Sequence, residues 1–138
     1  MTLDLQATPE EVMRAVEALQ ELGRQQQIPE KHLFGLALAL EECGSNIVNH
    51  ALQRDARRHF QVTIEHMGGV LSLELRDPGP PFDPTQVQVP EPAGGDDDRP
   101  PGGWGIQLVR RYTDEVHYTR ESGQNVLRLM KRVAPAAG

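Results

Sequence analysis

Residues 29–51 read PEKHLFGLALALEECGSNIVNHA. Leu33, Leu36, Ala37, Leu40, Cys43 (or Gly44) and Ile47 recur at steps of three and four, so the spacing predicts one amphipathic helix from about Pro29 to Ala51. Glu42, Asn46 and His50 lie four apart and stack along a second face, offset from the apolar stripe. A helix with one apolar stripe must bury it against another element. The flanking sequence supplies the candidates.

Upstream, Leu3 and Leu5 share one face of a short strand over residues 2–6. Thr8-Pro9-Glu10-Glu11 reads as a helix start: Thr8 caps, Pro9 suits the first helical position, and Glu11 completes a capping box. That helix carries Val12, Val16 and Leu19 at helical spacing and ends near Gln25–Gln27, before Pro29. Downstream, Phe60, Val62 and Ile64 share one face of a strand, and Leu71, Leu73 and Leu75 share one face of the next. Gly68-Gly69 between them is a hairpin signal. Gly105–Tyr112 reads as a third helix, and Glu115–Thr119 and Val126–Val133 as two strands joined at Ser122-Gly123. The predicted fold is α+β: a two-layer sandwich with a mixed, largely antiparallel sheet and the helices on one face.

The chain has 138 residues and 14 Lys+Arg against 20 Asp+Glu, a net charge of −6, which predicts a single domain over 1–138. An acidic balance argues against direct nucleic-acid binding, which needs a clustered basic face. No apolar run reaches the roughly 18–20 residues of a membrane span. MTLDLQATPEE has no basic segment followed by an apolar one, so no secretory leader is expected. A single cysteine excludes an internal disulfide and fits a reducing cytoplasm. Residues 78–103 differ in kind: they hold eight of the eleven prolines and no helix or strand pattern. An irregular loop this long in a compact domain is usually functional or disordered.

Three groups carry possible chemistry. The first is Glu42…Asn46…Asn49-His50. A carboxylate and an amide oxygen one helical turn apart suit phosphoryl transfer, the amide ligating Mg²⁺ and the carboxylate accepting a hydroxyl proton. The same spacing is also that of a solvated polar helix face. The second is Asp77-Pro-Gly79-Pro-Pro-Phe82-Asp83. Asp77 shares the odd parity of Leu71, Leu73 and Leu75, so a continued strand aims it at the core, where it needs a donor such as a purine amine. Gly79 would let a flat ring approach the backbone, and the segment is equally an Asp-Pro-Gly turn. The third is Gly102-Gly103-Trp104-Gly105-Ile106, directly before a helix, where free backbone N–H groups favour anions and a plain hinge would look the same.

In this order the three groups resemble the boxes of the GHKL (Bergerat-fold) ATPases, and most of all the RsbW-type anti-sigma factor serine kinases. The family's N-box has Glu, three residues, Asn, then His-Ala close behind, as in Glu42…Asn46…His50-Ala51. Its first glycine box is matched by Asp77…Gly79…Phe82-Asp83. Its last box is matched by Gly103-Trp104-Gly105-Ile106, followed by Arg110-Arg111 and Asp114-Glu115-Val116. The resemblance spans essentially the whole chain.

The resemblance implies ATP or ADP with Mg²⁺ as cofactors. Asn46 would hold the metal, and Glu42 would be the general base that activates a serine hydroxyl. Asp77 and Gly79 would recognise adenine. Gly103 and Gly105 would meet the phosphates. Asn49, His50, Phe82, Gly102, Trp104 and Ile106 would complete the nucleotide site, with residues 84–102 as the ATP lid. Arg14 falls where the family has an arginine that contacts protein partners. The implied partners are a STAS-type anti-anti-sigma protein as serine substrate, a sigma factor, and a second copy of the chain. The alternative is a nucleotide-binding regulatory module without kinase activity.

Overall fold

The computed structural model describes residues 1–86 and 105–133. In chain order it has β1 (Thr2–Gln6), α1 (Pro9–Gln25), α2 (Glu30–Asn46), a π turn (Ile47–Ala51), β2 (His59–Met67), β3 (Val70–Asp77), a short 3₁₀ turn (Pro84–Gln86), α3 (Gly105–Tyr112), β4 (Glu115–Glu121) and β5 (Gln124–Arg132). The strands form one sheet in the order β1-β2-β3-β5-β4, and each of its four pairings is antiparallel.

Local chemistry sets the element ends. Thr8 Oγ1 accepts from the Glu11 N–H at 3.2 Å, so the expected cap forms. The reciprocal half of the capping box does not: Thr8 N–H is taken by the Gln6 carbonyl, and Glu11 Oε1 accepts from Gln6 N–H at 3.3 Å instead. Both hairpins turn through two residues with positive φ, Gly68 (61°) with Gly69 (76°) and Ser122 (51°) with Gly123 (77°). Paired positive φ values match the twist of the flanking strands.

One core joins the layers. α2 contributes Leu33, Leu36 and Leu40, the inward strand faces contribute Phe60, Val62, Ile64, Leu71, Leu73, Leu75 and Leu129, and α1 and α3 add Val16, Leu19, Ile106 and Val109. β3 alternates half-buried and buried positions along its whole length, the period-two pattern of a sheet covered on one face.

The single helix predicted over 29–51 is a correction. The α-helix stops at Asn46 and a π turn follows, closed by Leu52 N–H on the Ile47 carbonyl at 2.8 Å. A wider turn advances each residue less around the axis, so His50 and Ala51 leave the strict four-residue stack of Glu42 and Asn46. Ala51 is thereby set against Gly79, in the turn that follows β3.

Candidate functional site

β3 delivers Asp77 as its last residue, on the inward face that parity assigns it, and the side chain is 5% exposed. Its register partner across β3–β5 is Asn125, also 5% exposed. Asp77 Oδ1 accepts from Gly79 N–H at 2.8 Å and from Asn125 Nδ2 at 3.1 Å. Among the described residues Oδ2 has no hydrogen-bond partner, and Asp77 borders an open space.

That space is a pocket of about 260 Å³. Its walls are Cys43, Ile47 and His50 from the end of α2 and the π turn, Leu75 and Leu127 from the sheet, Tyr118 from β4, and the Pro80-Pro81-Phe82 segment. Asn46 and Asp77 supply polar atoms to a lining that is otherwise largely apolar. Apolar walls with a few convergent polar groups are the usual character of a small-molecule site. A flat ring bearing one outward amine satisfies this pattern: the faces meet hydrocarbon and the amine meets Oδ2.

Gly79 is buried, and a Cβ on it would lie 2.8 Å from both Ala51 Cβ and Asp77 Oδ1. Its smallness therefore admits the π turn and the Asp77 carboxylate. Cys43 lies in the same wall. Burial, helped by the neighbouring Glu42 charge, pushes its thiol up to about 12, so it packs as a small apolar residue.

Glu42 is half-buried one turn before Asn46. The first residue of α3, Gly105, packs directly on it: a Cβ there would lie 2.8 Å from Glu42 Cγ and 2.9 Å from Cδ. The start of α3 is thus held against the Glu42 carboxylate. Asn46 is half-buried and lines the pocket, and its side chain makes no hydrogen bond among the described residues. Its amide oxygen is the hard donor a magnesium ion prefers. Among the described residues no three His, Cys, Asp or Glu side chains cluster as a metal site.

The remaining candidates scatter. Phe82 lines the pocket mouth, half of its surface exposed, while its N–H donates to Asn125 Oδ1 at 3.1 Å. Ile106 is buried in the core. Asn49 is exposed, and its Oδ1 accepts from Arg54 Nε at 2.7 Å, away from the pocket lining. Arg14 is exposed on α1 and donates through Nη1 to both Glu11 oxygens at 3.0 and 3.1 Å, which holds the Glu11 carboxyl below its usual range. Gly102, Gly103, Trp104 and lid residues 87–101 lie outside the described residues. Asn125 and Tyr118 are the site residues that the sequence did not single out.

Residues 5–131 match the histidine kinase-like ATPase domain family. The chain belongs to that family. This histidine kinase-like ATPase is 31% identical over 134 residues to the serine/threonine-protein kinase BtrW of Bordetella bronchiseptica, covering 97% of this chain and 94% of BtrW. The RsbU and RsbW domains of Rv1364c from Mycobacterium tuberculosis superpose with a TM-score of 0.69 at 18% identity, over 99% of this chain. The ATPase corresponds to 34% of that longer chain. The SiaB–SiaC complex from Pseudomonas aeruginosa gives a TM-score of 0.68 at 12% identity, over 94% of this chain and 88% of the matched one. At such identities the two solved structures establish the fold, with helices over one face of an open antiparallel sheet. Among the described residues no helix is long and apolar enough to cross a membrane.

Proposed function

We propose that this ATPase is a Mg²⁺-dependent protein-serine kinase of the partner-switching kind, acting in the cytoplasm. It transfers the γ-phosphoryl group of ATP to a serine of a STAS-domain anti-anti-sigma protein, and it sequesters a sigma factor when that antagonist is absent. The observation that carries the reading is Asp77 Oδ2, without a hydrogen-bond partner among the described residues, in a largely apolar pocket that Asn46 also lines, with Glu42 one helical turn before Asn46 on α2. The identity to a serine/threonine kinase over nearly the full chain supports the transfer step.

Each residue has a defined task. Asp77 Oδ2 accepts from the adenine amine, and Leu75, Ile47 and Leu127 cover the ring. The Asn46 amide oxygen holds Mg²⁺, which when bound neutralises charge on the phosphates. Glu42 accepts the proton of the serine hydroxyl as its oxygen bonds to the γ-phosphorus and the bond to ADP breaks. Gly105 keeps the start of α3 close enough for its backbone to meet the phosphates. Arg14, steadied by Glu11, contacts the protein partner, and two copies of the chain pair.

The test is incubation with Mg-ATP and a STAS-domain protein, followed by intact-mass measurement. Gain of one phosphoryl group by the STAS protein, lost with Glu42→Gln, supports the kinase. ATP binding without transfer would favour a nucleotide-gated binding module.

A further inference from the structure

Asn125 belongs to none of the three sequence boxes, yet it makes four hydrogen bonds across three parts of the site. Nδ2 donates to Asp77 Oδ1 at 3.1 Å and to the Pro80 carbonyl at 2.9 Å. Oδ1 accepts from Phe82 N–H at 3.1 Å and from the Tyr118 hydroxyl at 2.6 Å. A primary amide has two donor hydrogens and two acceptor lone pairs, so its capacity is full. The neighbours also fix which way the amide points. Rotated by half a turn, it would set its oxygen against the Asp77 carboxylate and the Pro80 carbonyl, and its NH₂ against the Phe82 N–H.

We propose that Asn125 is the positioning residue that sets nucleobase selection in this pocket, without itself bonding the base. With Oδ1 of Asp77 occupied by Asn125 and Gly79, one oxygen of fixed direction remains for the ligand. An acceptor so placed rewards a purine amine and repels a purine carbonyl, whose oxygen would face the carboxylate. The same amide pins Pro80 and Phe82, so the wall over the base and the atom that reads its edge are held by one side chain. Removing it frees the Asp77 carboxylate to rotate and the Pro80–Phe82 segment to shift together. The inference rests on the nucleotide reading given above.

Calorimetric titration with ATP and with inosine triphosphate, which carries a carbonyl where adenine has its amine, tests it on the full chain. The wild-type protein is expected to prefer ATP. Asn125→Ala is expected to weaken ATP by about ten- to a hundredfold and leave inosine triphosphate within about twofold, so the preference collapses. Asn125→Ser keeps a donor hydroxyl and is expected to retain part of the preference. Thermal melts identify variants that do not fold, and Asn125→Ser decides if Asn125→Ala is one of them. A merely structural role would weaken both nucleotides equally. Preference that survives in Asn125→Ala, or in Asn125→Ser should the alanine variant not fold, or an equal loss for both nucleotides, overturns this inference alone. A wild-type protein that binds neither nucleotide, or does not distinguish them, overturns the adenine reading of Asp77 and this inference with it.

Discussion

The two faces of the sheet both carry carboxylates, and they use them in opposite ways. On the face without helices, Glu74 is gripped by Arg76 on one side and by Arg128 Nε at 2.8 Å on the other, while Arg76 also reaches Glu121 at 3.3 Å. Both Glu74 oxygens are taken, and the group stands in partial contact with water. On the helix-covered face, Asp77 is buried, and among the described residues neutral N–H donors meet one of its oxygens and leave the other without a partner. A cavity of about 460 Å³ on the open face exceeds the pocket of about 260 Å³ beside Asp77. What separates the two is less volume than an unmatched acceptor in an apolar setting, the kind of group that gains most from a partner.

The comparison can be broken or sharpened by substitution. The largest effect belongs to Glu42→Gln. Phosphoryl transfer to a STAS partner should fall by about 10²–10⁴-fold, the usual contribution of a positioned base, while calorimetry shows ATP affinity near that of wild type. Next is Gly105→Ala, which drives a methyl group into the Glu42 side chain. Transfer should fall by about a hundredfold, since displacing a reacting group by an ångström has that scale of consequence. Gly79→Ala presses on Ala51 and on Asp77 together. Chemical denaturation should register a loss of about 1–3 kcal/mol, with weaker ATP binding alongside.

The smallest effect is expected on the open face. Glu74→Gln should change stability by less than about 1 kcal/mol and leave ATP affinity unaltered. Its pH dependence has a definite sign. Burial pushes the Glu74 carboxyl up, but Arg76 and Arg128 outweigh it and hold the group below its ordinary value of 4.5. A carboxyl lowered by folding contributes stability above its unfolded value and loses it as the pH falls through the folded one. The difference in melting temperature between wild type and Glu74→Gln should therefore shrink on acidification below about pH 4.5. A strong loss of ATP binding in Glu74→Gln would erase the distinction between the faces.

Much of this was legible in the sequence, for reasons that differ residue by residue. Asp77 was readable because a strand has a period of two, and three leucines upstream fix its phase. Thr8 was readable because capping acts over three residues, whereas the capping partner of Glu11 was not, since the Gln6 carbonyl competes for the Thr8 N–H. The π turn was hidden because five residues cannot distinguish its period from that of an α-helix. Asn125 was hidden because it is 48 residues from Asp77 and stands beside Val126 and Leu127 in a strand that otherwise reads as core. The β3–β5 pairing alone makes them neighbours.

The sequence by itself determined the order of the helices and strands, the shared apolar faces of β1, β2 and β3, the two hairpins and the Glu42–Asn46 spacing. These follow from interactions within a few residues, which the local pattern records completely. Tertiary structure alone decided that Asn125 holds Asp77, that Gly79 receives Ala51 and that Gly105 meets Glu42. Those contacts join segments distant along the chain, and they exist only once the sheet pairs β3 with β5 and the core draws α2 and α3 together.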